Sequence, residues 1–101
     1  MPRLVTLKST VKPPNLVILA AACNTAAELG ISITVTSGND SAHKVGSRHF
    51  TNQAIDFRTK DMEKAVKAEF IAKMKARLGK KYLVLLEDEG KANEHLHCEV
   101  D

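Results

Sequence analysis

The run His95-Leu96-His97-Cys98-Glu99-Val100 alternates between polar and apolar side chains without a break. Successive side chains of a β-strand point to opposite faces, so as a strand this run puts His95, His97 and Glu99 on one side and Leu96, Cys98 and Val100 on the other. A strand of this kind fits a sheet with an apolar layer against one face and chemistry on the other. Cys98 is then expected in the core, pointing away from the two histidines.

The rest of the chain supplies such a layer. Pro13-Pro14 ends an N-terminal arm (residues 1–13), and a helix is expected over residues 14–29, with Leu16, Leu19, Ala20, Cys23, Ala26 and Ala27 as its apolar stripe and Gly30 as its C-terminal cap. Ile31-Ser32-Ile33-Thr34-Val35-Thr36 is alternating and β-branched, hence a strand. A second helix is expected over residues 62–78, N-capped by Asp61 and closed by Gly79, because Met62, Val66, Phe70, Met74 and Leu78 recur every fourth residue, joined by Ala65 and Ile71. That stripe is core packing. Residues 82–86, Tyr-Leu-Val-Leu-Leu, read as a largely buried strand, and Glu87-Asp88-Glu89-Gly90 as a solvated acidic turn. Two helices and about four strands in mixed order predict an α+β domain with helices on one side of a mainly antiparallel sheet.

The chain has 101 residues, the length of one domain with one core. Its net charge of +3 suits an anionic partner, with the lysines of residues 60–81 decorating an exposed helix face. Aromatic residues make up 4% and tryptophan is absent, which argues against an extended nucleic-acid stacking platform. No run of about 18 apolar residues exists to span a membrane, and the N-terminus has no secretory h-region. Cys23 and Cys98 do not form a metal-binding Cys-x-x-Cys pair.

Between the first strand and the second helix lies Ser47-Arg48-His49-Phe50-Thr51-Asn52-Gln53-Ala54-Ile55-Asp56. A histidine and a carboxylate stand here on either side of a polar bend, and Asp56 falls among Ala54, Ile55 and Phe57, where an uncompensated carboxylate is costly to bury. Imidazole nitrogen and carboxylate oxygen together bind zinc, and catalytic zinc sites use three protein ligands with one open position. His49, Asp56 and a histidine from the C-terminal strand make such a set.

These residues resemble the zinc D-Ala-D-Ala carboxypeptidase and L-Ala-D-Glu endopeptidase family of cell-wall metallopeptidases. That family carries Ser-x-His-x-x-Gly-x-Ala-x-Asp, matched by Ser47, His49, Ala54 and Asp56, and a closing Glu/Asp-x-x-His or His-x-His element, matched by Glu94, His95 and His97. Asn52 replaces the motif glycine, and asparagine tolerates a left-handed backbone better than other non-glycine residues. The resemblance covers about residues 16–101 and extends to phage-type members through Thr36-Ser37-Gly38-Asn39-Asp40 and His43. It implies a hedgehog/DD-peptidase-like fold and a zinc ion on His49, Asp56 and His97. Glu94 is then the general base and His95 the group that stabilises the oxyanion, with His95 as acid or base in other members. Ser37 and Arg48 become substrate contacts, and Ser47 orients the metal loop. The run after Ser37 lacks the arginine-bearing lead-in of carboxypeptidase members, which turns the expectation toward an endopeptidase. The implied partner is the peptidoglycan stem peptide, reached from the cytoplasm after release by a membrane-permeabilising partner of a phage lysis system. Two other readings are a non-enzymatic, zinc-stabilised binding module using the same residues and a small basic nucleic-acid-binding domain, which leaves the His/Asp/His pattern without a purpose.

Overall fold

The computed structural model describes residues 4–8, 11, 15–37 and 54–100, with the side chains of Ser37 and Val100 excepted. In chain order the elements are β1 (Val5–Leu7), α1 (Leu16–Leu29), β2 (Ile33–Ser37), β3 (Ala54–Arg58), α2 (Lys64–Leu78), β4 (Tyr82–Glu87) and β5 (His95–Val100). The strands form one five-stranded sheet in the order β1-β2-β3-β5-β4. β1 runs parallel to β2, and the β2–β3, β3–β5 and β4–β5 pairs are antiparallel. The domain is therefore α+β, with two helices on a mixed, mainly antiparallel sheet.

Both helices lie against the same face. Ile18, Ala22 and Ala26 of α1 and Phe70, Met74 and Leu78 of α2 share one core with Ile33, Val35, Ile55, Phe57, Val84, Leu96 and Cys98 from four strands. Phe57 meets Phe70 edge-on, with ring centroids 6.2 Å apart. Cutting either ring back to alanine removes a fully buried aromatic, a loss of about 3–5 kcal/mol. Cys98 lies in this core, 0% exposed, and burial pushes its thiol up to about 12. The alternation of the closing strand thus sorts its side chains as expected.

Several details differ from the sequence reading, among them β4, expected to be largely buried, in which Leu83 and Leu85 are each 45% exposed. Val5–Leu7, inside the expected arm, form an edge strand that raises the strand number to five. The buried side of α1 is Ile18, Ala21, Ala22, Thr25 and Ala26, while Leu16 is 51% exposed. A nearly all-apolar helix has no strong stripe to set its rotation. Thr25 can be buried because its hydroxyl donates to the Ala21 carbonyl at 2.7 Å and accepts from Arg77 at 2.8 Å. The helix starts at Leu16, where Asn15 leaves its capping role and donates instead to the Ala54 carbonyl of β3 at 3.0 Å. In α2 the N-cap position is Glu63, two residues after the expected Asp61. Gly30 and Gly79 end the helices at positive φ, 71° and 79°, where a side chain is strained.

Candidate functional site

The face of the sheet opposite the helices carries the polar halves of β3 and β5. Asp56 and His97 are register partners there, and an imidazole nitrogen of His97, Nδ1, lies 2.7 Å from Asp56 Oδ1. The other Asp56 oxygen is 3.8 Å from His95 Nε2. The two oxygens of one carboxylate thus face two histidines, and Asp56 is only 8% exposed.

Two more acids extend the row. His97 Nε2 lies 2.6 Å from Glu99 Oε1, and His95 Nε2 lies 2.8 Å from Glu87 Oε1. His95 Nδ1 donates to the Asn93 carbonyl at 2.9 Å, since a carbonyl oxygen can only accept. The result is a chain of groups across β3, β4 and β5: Glu99, His97, Asp56, His95, Glu87. Burial opposes charge on His97, but its bonds to Asp56 and Glu99 and the nearby carboxylate charges outweigh burial and hold it up to about 9. His95 is raised for related reasons: burial again opposes the charge, and the Asn93 carbonyl, the Asp56 charge and Glu87 overcome it.

Three carboxylates and two imidazoles offer oxygen and nitrogen donors to a cation. One ligand atom from each of Asp56, Glu87 and His95 lies within 4.8 Å of the others. Such donors can take a cation only after giving up their protons. In the ion-free protein the two imidazoles fill the same electrostatic need by carrying protons between the carboxylates.

Of the residues expected from sequence, the structure brings together Asp56, His95 and His97. Ser37 ends β2 as the register partner of Asp56, next to an irregularity between Val35 and Ser37. His43, Ser47, Arg48 and His49 lie outside the described residues.

Glu94, expected as general base, is committed elsewhere. β5 begins just after it, at His95, and its carboxylate is bonded to Lys67 of α2. It accepts from Thr59 Oγ1 at 2.6 Å, from Lys67 Nζ at 3.0 Å on each oxygen, and from the Gly90 N–H at 2.9 Å. The Thr59, Gly90 and Lys67 hydrogen bonds, in that order, hold it down to about 2 despite burial. A carboxylate so saturated with donors is a weak base.

Glu87 is the residue the sequence reading missed. It belongs to β4 and is the register partner of His95, so it is no turn residue. The signal was present: Leu83, Leu85 and Glu87 continue one alternation, and extending the strand by one residue sets Glu87 on the histidine face. Comparison with protein-family models, curated proteins and solved structures gave no match.

Proposed function

We propose that this chain is a zinc-dependent peptidase with a hedgehog/DD-peptidase-like fold that hydrolyses peptide bonds in peptidoglycan stem peptides. One observation carries the reading. Asp56 and His97, from two motifs 41 residues apart, meet as bonded register partners on a partly buried polar face. The peptidase family's two motifs require that meeting, and the β3–β5 register that buries Ile55, Phe57, Leu96 and Cys98 provides it.

Asp56 and His97, with His49, are the residues that would hold the ion. A zinc ion held there would supply Lewis acidity for the scissile carbonyl and for the water that attacks it. The remaining work falls to this chain's own groups. His95, pinned through Nδ1 to the Asn93 carbonyl and through Nε2 to Glu87, stabilises the developing oxyanion by hydrogen bonding. With Glu94 engaged by Lys67, His95 serves as the acid: its Nε2 proton goes to the leaving amine, and the proton released by the attacking water restores it. Glu94 anchors the start of β5 so that His95 and His97 project correctly. Delivery to the wall follows the phage-type route; no helix among the described residues is long and apolar enough to cross a membrane.

The test is mass spectrometry of products from purified peptidoglycan, with chelator and with zinc restored. New stem-peptide termini that vanish with chelator and return with zinc are expected. No new termini across several wall chemistries, from protein holding one metal ion, would replace the peptidase with a zinc-stabilised binding module.

A further inference from the structure

β4 is an outer strand of the sheet: β5 pairs along one side of it, and no described strand pairs along the other. Edge strands recruit other strands through their unpaired N–H and C=O groups, and are usually blunted by shortness, by a lysine or proline within them, or by a bulge. The opposite edge, β1, is short, with three residues. β4 has none of these protections. It runs six residues, Tyr82-Leu83-Val84-Leu85-Leu86-Glu87, in unbroken register with β5. Its Leu83 and Leu85 are each 45% exposed on the histidine face, opposite Glu99 and His97.

This edge is complementary to its own reverse. Lys81, exposed, stands just before the strand and Glu87 at its end, with Leu83 and Leu85 between them at alternate positions. Consider a second copy laid antiparallel along the edge, related by a two-fold axis that sets Val84 opposite its own copy. Leu83 then meets the partner's Leu85, and Lys81 meets the partner's Glu87. The symmetry makes each contact twice. Directly opposed residues of an antiparallel pair share a face, so the leucine pairs and both ion pairs fall on the open side. Moving the axis to Leu85 sets Leu83 against the partner's Glu87, and moving it to Leu83 sets Leu85 against the partner's Lys81. Of these three registers, only the one on Val84 matches apolar with apolar and cation with anion. Glu87 can accept the lysine: its Oε1 meets His95, its Oε2 takes no hydrogen bond among the described residues, and its side chain is 41% exposed.

We propose that the chain forms a two-fold dimer through β4, each five-stranded sheet continuing into the other, and that each copy lends its Lys81 to the other's polar row at Glu87. The row Glu99, His97, Asp56, His95, Glu87 then ends on a cation supplied by the partner. The dimer does not depend on the peptidase reading, since it rests on the edge and on the charges at its two ends. One strand per copy is a small interface, so the dimer should exchange with monomer and grow in with protein concentration. Its ion pairs should make it weaken as salt rises.

Sedimentation velocity over a range of protein concentrations, at low and high salt, tests this. It compares wild type with Lys81→Glu, Glu87→Lys, the double variant carrying both, and Leu83→Lys, each shown to be folded by its melting transition. Wild type should pass from monomer to dimer. Either single charge reversal opposes like charges twice and should raise the dissociation constant by on the order of tenfold or more. The double variant restores opposite signs and should recover most of the affinity, which general damage to the fold would not do. Leu83→Lys should remove the dimer. A chain that stays monomeric at every concentration, a dimer that every variant leaves intact, or a double variant no tighter than its parents overturns the proposal. If the chain is monomeric and its β4 amide NMR signals move on adding a synthetic stem peptide, the edge belongs to an extended substrate and not to a second copy.

Discussion

Glu94 and His95 are neighbours in sequence but belong to two different ionic networks on opposite sides of the sheet. On the helix side one carboxylate is matched by one ammonium, a hydroxyl and a backbone N–H, and its acidity is driven down to about 2. On the open side three carboxylates share two imidazoles, and the more buried of these is held up to about 9. The first network closes on Thr59, Gly90 and Lys67; the second sets three carboxylates and two imidazoles side by side. Saturation suits a structural role, whereas an excess of donors for a cation suits a site that binds one.

The largest effect should come from breaking the open side. Asp56→Asn removes the carboxylate common to both histidines, and it is expected to abolish zinc retention and metal-dependent cleavage, read by metal analysis of the purified protein beside the peptidoglycan assay. Persistence of both would detach Asp56 from the metal.

Breaking the helix side should act on stability. Glu94→Gln leaves Lys67 facing a neutral amide and is expected to lower unfolding free energy by about 1–3 kcal/mol, with activity per folded molecule kept within a fewfold. Chemical denaturation paired with activity at a permissive temperature checks this. Lost catalysis with stability intact would return Glu94 to the role of base.

Glu87→Gln sharpens the comparison, since it weakens one hold on His95 and spares Asp56 and His97. Cleavage should fall by roughly 10–100-fold, the cost typical of a partner that orients a site residue, while the melting temperature changes little. A drop in melting temperature with cleavage unaltered would make the Glu87–His95 bond structural.

The smallest effect is in the pH dependence of the ion-free protein. Glu94 titrates at about 2 when folded, below its ordinary 4.5, so its stabilisation is complete above 4.5 and fades as pH falls through 2. His97 titrates at about 9 when folded, above its ordinary 6.5, so its stabilisation is complete below 6.5 and fades as pH rises through 9. Melting temperatures measured without metal should form a plateau between about pH 4.5 and 6.5. On the proposed reading a zinc ion would displace the His97 proton, so zinc affinity should climb with pH over the range where apo stability declines. A melting temperature that rises from pH 7 to 9 would contradict the His97 assignment.

Much of this was legible from local pattern. The alternation of residues 95–100 foretold both faces of β5, and the four-residue spacing of Phe70, Met74 and Leu78 foretold the buried side of α2. The rotation of α1 was not legible, because Leu16, Val17, Ile18 and Leu19 are all apolar and only packing against α2 and the sheet selects Ile18. Nor was β1, three exposed residues whose strand identity comes from pairing with β2. In the candidate site, Asp56, His95 and His97 could be named in advance because motif spacing and strand period are properties of the chain itself. The partners of Glu87 and Glu94 could not be named in advance, because the β4–β5 register brings Glu87 to His95 and helix packing brings Lys67 to Glu94.

By itself, then, the sequence determined which side chains share a face, since backbone geometry imposes a period of two on strands and near four on helices. Only the tertiary structure decided that Glu94 would meet Lys67 and that Glu87 would meet His95. Those pairings are fixed by strand register and helix packing, which arise from the whole core, and in a region of low dielectric the nearest opposite charge sets what a carboxylate can do.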